Sequence, residues 1–280
     1  MPSYRVTHST IYNFNDPVDH LTLQCCLYPG FKQNQQLHHH QLISQPLPSL
    51  KTEFTDEFGN LRHQLSFTRQ LQRVAISSLM SISVAEGSHN FFVEEHNNCP
   101  LWVDLLDEQE RQQVESFSKS FAKDIFNSKL DDRKIISMLM EKIYRDFIYD
   151  TRATSVNTPV SHLFKSRRGV CQDFARVMIA ILQTHGFDAR YVSGYLYGGG
   201  NQQGSTIRQP ASHAWLAVNI LGSGWAEIDP TNNMWVDDRY IALAWGRDYI
   251  DIVPLEGKLQ DTRKQRINVS VTIEKQDNSN

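Results

Sequence analysis

The chain has 280 residues, of which 21% are charged and 40% hydrophobic, and its formal net charge is −3. This length allows one large domain or two medium ones. The slightly acidic balance argues against a nucleic-acid-binding protein, which would usually carry a basic face. No apolar run is long enough to span a bilayer, and the first residues lack the pattern of a secretory signal. We therefore expect a cytoplasmic protein without nucleic-acid or membrane partners.

The first third of the chain is predicted to be β-structure. Short alternating runs are separated by Pro, Gly, Asn and Asp, which is typical of a sandwich or partial barrel. Turns are expected at Asn15-Asp16-Pro17 and at residues 56–60. The predicted strands are residues 4–14, 21–28, 38–46, 52–56, 60–67 and 71–84. Because residues 87–99 are polar and aperiodic, we place a domain boundary there and assign residues 1–95 to a β-sandwich-like domain.

Helices are predicted next, within a second domain that covers residues 96–280. Residues 107–126 carry apolar side chains at helical spacing, and residues 131–147 form a broader apolar stripe with two aspartates at its N-terminal end. Near the C-terminus, residues 249–253 and 266–273 are expected to be strands. In the second of these, apolar residues alternate strictly with polar ones.

The cysteine at position 171 lies where a polar, glycine-containing loop is predicted to become a helix. Residues 174–182 are apolar nearly all round, which is typical of a buried helix, and Gly186 is a candidate for the residue after its C-terminal cap. Asp173 would lie in the first helical turn, where a carboxylate complements the helix dipole. The sequence thus predicts a thiol at the N-terminus of a buried helix.

A β-hairpin is predicted after this helix. Residues 189–196 alternate well enough for one strand, and residues 214–220 and 225–228 form two more that are joined by Gly222-Ser223-Gly224. His213 would begin the second strand and Asp229 would end the third. Because paired antiparallel strands bring such positions to the same end, the two side chains are expected to be hydrogen-bond neighbours.

A thiol, an imidazole and a carboxylate in this arrangement are the components of a thiolate nucleophile. A helix N-terminus and a neighbouring imidazolium both favour the charged thiolate, which is the form that attacks carbonyls. The imidazole later protonates the leaving group, and a carboxylate fixes its tautomer. Each residue alone has an ordinary structural explanation, since a buried thiol, a strand histidine and a turn aspartate are all common.

Several stretches together resemble the bacterial transglutaminase-like family. The core stretches are residues 169–175, 189–195, 212–215, 225–231 and 246–249, and residues 4–12 and 55–60 are similar to its N-terminal region. The resemblance implies an α+β fold with a papain-like core, in which a cysteine-bearing helix packs on an antiparallel sheet. It also implies Cys171 as nucleophile, His213 as base and Asp229 as orienting carboxylate.

We expect cysteine-dependent acyl transfer on a peptide or protein substrate through a thioester, with hydrolysis as the default outcome. Glutamine transglutamination or deamidation stays open as an alternative, and so does a non-catalytic protein-binding scaffold. No metal or organic cofactor is expected. Cys25, Cys26 and Cys99 lack the spacing of a zinc site or a disulfide framework, and the run His38-His39-His40 would direct successive side chains to opposite strand faces.

Overall fold

The computed structural model describes residues 1–30, 34–85, 101–199, 212–259 and 265–276. The first part is β-structure, as predicted. Its strands are β1 (Ser3–Val18), β2 (Leu21–Cys25), β3 (Gln35–Gln45), β4 (Leu50–Thr55), β5 (Leu61–Phe67) and β6 (Leu71–Val84). The predicted hairpin between β4 and β5 is present, and Gly59 has a φ of 85° there, a left-handed conformation that glycine adopts without strain.

The second part combines helices with a further sheet. After a 3-10 helix at Trp102–Leu105, the helices are α1 (Glu108–Phe121), α2 (Lys123–Phe126), α3 (Asp132–Asp146), α4 (Val160–Ser166) and α5 (Cys171–Thr184). The strands are β7 (Ile148–Tyr149), β8 (Arg168–Gly169), β9 (Ala189–Leu196), β10 (Ser212–Ile220), β11 (Gly224–Asp229), β12 (Met234–Trp235), β13 (Tyr240–Gly246), β14 (Leu255–Leu259) and β15 (Gln265–Gln276). No helix in the described ranges has the length and apolar character needed to cross a membrane.

Three antiparallel sheets organise the described part of the chain. The core sheet has the order β12-β11-β10-β9-β13, and α5 packs against β9 and β10. The other two sheets have the orders β15-β1-β6-β3 and β14-β2-β5-β4. A continuous cluster of buried apolar side chains extends from these two sheets to α5. The α+β class and the cysteine-bearing helix on an antiparallel sheet are confirmed.

The last two strands return to the N-terminal sheets. β14 pairs with β2, and β15 pairs with β1 along most of its length. Residues 96–280 were predicted to form one domain, whereas residues 255–259 and 265–276 pair with the sheets of the first 85 residues. Their alternating pattern correctly predicted a strand at 266–273, but alternation does not specify which sheet receives a strand. The predicted boundary near residue 95 and Cys99 lie outside the described residues.

Side-chain amides join the two parts at the outer strand of the core sheet. Gln35 hydrogen-bonds both backbone groups of Ala242 in β13, at 2.8 and 3.0 Å. Asn60 does the same at Trp245, at 2.8 and 3.1 Å. Because unpaired backbone groups at a buried sheet edge are costly, these amides stabilise the contact between the N-terminal sheets and the core.

Three local predictions were wrong. β1 continues through Asn15-Asp16-Pro17 instead of turning there, because a change of register after Asn13 accommodates the extra residues. Residues 107–126 form two helices, since Ala122 leaves the helical region at φ −106° and ψ 9°. Residues 249–252 form a 3-10 helix and no strand, because the Asp248 side chain accepts a hydrogen bond from the Tyr249 amide.

Candidate active site

Cys171 is the first residue of α5, as the sequence predicted. The Asp173 carboxylate accepts the Val170 amide at 2.8 Å and the Thr154 hydroxyl at 2.6 Å, which anchors the start of the helix. Burial raises the pKa of Asp173, although these hydrogen bonds oppose that effect. A Cβ on Gly169 would lie 2.5 Å from the Asp173 carboxylate, so the glycine is needed for this close approach.

His213 and Asp229 meet at one end of the β10–β11 hairpin. Their side chains are completely buried, and the His213 Nε2 atom lies 2.7 Å from Asp229 Oδ2. The sequence predicted these two residues at the same end of paired strands, and the structure pairs the strands with Leu216 opposite Ile228. The strand β9 passes His213 at Gly194, where a Cβ would lie 2.6 Å from the Trp215 ring. The glycine therefore leaves room for the tryptophan beside the histidine.

The Asp229 carboxylate accepts hydrogen bonds from several groups besides His213. Its Oδ2 atom also accepts the Tyr240 hydroxyl at 2.8 Å and the Asn232 side-chain amide at 2.6 Å. Its Oδ1 atom accepts the backbone amides of Thr231 at 2.9 Å and Asn232 at 3.3 Å. A buried carboxylate needs such donors to remain ionised. Asn232 and Tyr240 were missed, although Asn232 directly follows the Asp229-Pro230-Thr231 turn.

The protonation of the pair is set by opposing effects. Burial would lower the pKa of His213, but the charge and hydrogen bond of Asp229, together with the nearby Cys171, raise it to about 10. Burial would raise the pKa of Asp229, but His213, Asn232 and Tyr240 lower it below its usual value. His213 is therefore an imidazolium at neutral pH, and Asp229 is a carboxylate.

The second ring nitrogen of His213 is directed away from Asp229. This Nδ1 atom is buried and makes no well-aligned hydrogen bond within the described residues. The nearby Cys171 thiol nevertheless contributes to the raised pKa of His213. Catalytic contacts are often loose in the absence of substrate and tighten when it binds. The imidazole is thus held by a carboxylate through Nε2, and the Cys171 thiol is close enough to influence its pKa.

Cys171 and His213 line one cavity of about 310 Å³. The side chains around it come from α5, from β9 and β10 of the core sheet, and from β1 and β15 of the N-terminal sheets. Cys171 is partly exposed there, in contrast to Cys25 and Cys26, which are fully buried. Burial raises the pKa of each of those two thiols to about 12, so the residues differ sharply in their expected reactivity.

Asp248 belongs to the stretch 246–249, which resembles the family, and it stabilises the position of α5. Its carboxylate accepts Arg176 Nε of α5 and Trp102 Nε1, both at 3.0 Å. Arg247 pairs with Asp251 at 2.8 Å, which agrees with an ion-paired turn. Tyr249 is the member of this stretch that lines the cavity.

The histidine run lies outside this site. His38 hydrogen-bonds Ser83 at 2.7 Å and His40 hydrogen-bonds Ser78 at 3.0 Å, on the β3–β6 pairing. Within the described part of the chain, no group of three His, Cys, Asp or Glu side chains is arranged to hold a metal ion.

Comparison with known proteins identifies the family. Residues 119–230 match the transglutaminase-like superfamily, and residues 4–83 match the bacterial transglutaminase-like N-terminal region. The chain belongs to the transglutaminase-like superfamily. The first match contains Cys171, His213 and Asp229. The second contains β2 to β5 and most of β1 and β6.

The relatives include one over nearly the full length. The uncharacterized protein Rv2569c of Mycobacterium tuberculosis is 30% identical over 288 residues, which cover 96% of this chain and 92% of the relative. The uncharacterized protein ML0607 of Mycobacterium leprae is 41% identical over 90 residues, or 32% of each chain. Among solved structures, a "putative cysteine protease" from Cytophaga hutchinsonii has a TM-score of 0.74 at 19% identity, covering 99% of this chain and 92% of that one. That likeness shows a shared fold.

Proposed function

We propose that the protein is a cysteine-dependent acyl-transfer enzyme that acts on peptide or protein amides, with hydrolysis as its main reaction. One observation carries the proposal. A buried imidazole contacts an ionised carboxylate at 2.7 Å and shares a cavity with a partly exposed thiol at a helix N-terminus. An imidazolium beside a thiol favours the nucleophilic thiolate.

In the proposed reaction, Cys171 Sγ attacks the amide carbonyl carbon and forms a carbon–sulfur bond. The negative charge moves to the carbonyl oxygen, which unpaired N–H groups at the start of α5 can stabilise. His213 Nδ1 then gives its proton to the amine as the carbon–nitrogen bond breaks, leaving a thioester. Water next gives a proton back to His213 and attacks the thioester carbon. The carbon–sulfur bond then breaks, which releases the carboxylic acid and restores the Cys171 thiolate beside the His213 imidazolium.

Asp229 has a positioning role in this reaction. Its contact with Nε2 directs Nδ1 toward the cavity and stabilises the charged ring. Tyr240 and Asn232 in turn hold the carboxylate, as their 2.8 and 2.6 Å hydrogen bonds to Oδ2 indicate. The proposal therefore gives each of these buried groups a reason to be arranged as it is.

The proposal is tested by labelling with iodoacetamide and with a peptide that carries a thiol-reactive group. Cys171 should be labelled at neutral pH, while Cys25 and Cys26 serve as internal controls that stay unlabelled because they are buried. A Cys99→Ser background removes the remaining thiol. His213→Ala should slow the labelling of Cys171 strongly. Equal labelling of all the thiols, or no effect of His213→Ala, would reject the proposal.

A panel of peptides and amines then distinguishes the possible reactions. Cleavage to a shortened peptide indicates hydrolysis of a peptide bond. Conversion of glutamine to glutamate with release of ammonia indicates deamidation, and release of ammonia with incorporation of a lysine-type amine indicates transglutamination. Each of these activities should disappear in Cys171→Ala. If every activity of the protein survives that substitution, the non-catalytic scaffold is the better explanation.

A further inference from the structure

One face of the N-terminal sheet forms a side of the catalytic cavity. His8, Thr10 and Tyr12 of β1 and Ile267 and Val269 of β15 all line it, and we call these five residues the N-terminal wall. The register places Tyr12 opposite Ile267 and Thr10 opposite Val269. Directly opposed residues of an antiparallel pair share a face of the sheet, so the wall is a continuous surface.

The β15 half of the wall is apolar and exposed. Ile267 has 46% of its surface accessible and Val269 has 59%. Further along the same face of the strand, Val271 and Ile273 are half-buried and pack on the hydrophobic core. Single exposed apolar residues are common on protein surfaces. Here, two exposed apolar residues share one strand face beside a cavity that contains a thiol and an imidazole. Together they provide a surface that an apolar group can cover.

The β1 half of the wall is polar but uncharged. His8 Nδ1 lies 2.8 Å from the Tyr195 hydroxyl of the core sheet, and burial lowers the pKa of His8 to about 4. The imidazole is therefore neutral at pH 7. Among the described residues that line the cavity, none is an Asp, Glu, Lys or Arg. The cavity thus offers hydrogen-bonding groups for an amide, and its one positively charged side chain among the described residues is His213, which already contacts the Asp229 carboxylate.

We propose that the N-terminal wall is a specificity surface, which binds an apolar side chain of a polypeptide substrate next to the amide that Cys171 attacks. This inference rests on the proposed function and assigns a role to the N-terminal sheets. An apolar side chain that covers Ile267 and Val269 removes apolar area from water on both partners, which is favourable. An acidic side chain in the same place would lose hydration, and none of the five wall residues carries a positive charge that would compensate for that loss.

The test measures peptide binding without catalysis. In the Cys171→Ala protein, dye-labelled pentapeptides with a central glutamine are titrated by fluorescence anisotropy, with leucine, alanine or aspartate on each side of the glutamine. The leucine peptide should bind about tenfold more tightly than the aspartate peptide, as expected for one buried aliphatic side chain. The alanine peptide should lie between them.

Two matched double variants locate the surface. Ile267→Asp with Val269→Asp should remove the preference for leucine, reducing binding of the leucine peptide about tenfold. Asn268→Asp with Ser270→Asp adds the same charge to exposed neighbours on the opposite face of β15 and should keep the preference. Ile267→Ser with Val269→Ser is a milder variant that should give an intermediate loss. Circular dichroism and thermal melting establish that each variant is folded.

The inference is overturned if none of the peptides binds, if leucine and aspartate peptides bind equally, or if the two double Asp variants behave alike. These outcomes are separate from failure of the proposed function. A retained leucine preference in Cys171→Ala, with no labelling or turnover by the unaltered protein, would reject the catalytic proposal and leave the wall standing. Turnover that depends on Cys171 but is unchanged in the wall variants would reject the specificity surface and support the catalytic proposal.

Discussion

Tyr240→Phe removes one hydrogen bond from the buried carboxylate and changes little else. The Tyr240 hydroxyl donates to Asp229 Oδ2 at 2.8 Å, and both residues are completely buried. A hydrogen bond to a charged group contributes about 1.5–3 kcal/mol. Since phenylalanine fills the same volume and leaves no donor unpaired, we expect the free energy of unfolding to fall by about that amount.

The pH dependence of this loss identifies the charge. The folded-state pKa of Asp229 is lowered, and Tyr240 is one of the causes. A group with a lowered pKa contributes stability above its unfolded value, about 3.9 for aspartate, and loses that contribution as the pH falls through its folded value. The difference between the unaltered protein and Tyr240→Phe should therefore be largest near neutral pH and shrink below about pH 4.

Urea unfolding at several pH values measures this difference. Tyr12→Phe is the matched control, because the Tyr12 hydroxyl donates to the uncharged Leu255 carbonyl at 3.4 Å. Its loss should be at most about 1 kcal/mol and independent of pH. If Tyr240→Phe costs no more than Tyr12→Phe, or costs the same at every pH, Asp229 is not the ionised acceptor that we infer.

Three further substitutions are informative. Asp229→Asn should cost about 2–4 kcal/mol of stability because its NH₂ group must face a donor, and should lower turnover about 10³-fold or more; normal kinetics would remove Asp229 from the mechanism. Gly169→Ala should lower stability by about 1–3 kcal/mol, since its Cβ would lie 2.5 Å from Asp173, whereas Gly198→Ala has open space and should be neutral in the same thermal melt. Between pH 6.5 and 4, the free energy of unfolding should fall less in His8→Asn than in the unaltered protein. The pKa of His8 is lowered from 6.5 to about 4, so protons bind the unfolded chain more readily in this range and favour it. An equal fall in both proteins would contradict this.

The sequence predicted the candidate site better than the strands around it. Cys171 at the start of α5 and the β10–β11 hairpin follow from local signals, namely an apolar helical stretch, glycines at the turn and alternation in the strands. Local signals of this kind fix where an element begins and which face it buries. They were sufficient to bring His213 and Asp229 together.

The contributions of distant segments could not be predicted from such signals. Tyr240 reaches Asp229 because β13 adds to the far side of β9, and His8 reaches the cavity because β1 packs over the core sheet. Both contacts depend on the order of strands in a sheet and on the packing of two sheets. Alternation shows that a strand has a buried face but does not name its partner, so neither residue could be singled out from the sequence.

The protonation of His213 tests the central claim most directly. With ¹⁵N-labelled histidine, the ring nitrogens of His213 can be followed by NMR as the pH is raised, and His213→Gln assigns the signals. We predict an imidazolium that persists through neutral pH and titrates near pH 10, as expected from its raised pKa, and that titrates earlier in Asp229→Asn. A ring that is neutral at pH 7, with an ordinary histidine titration near 6.5, would contradict the account.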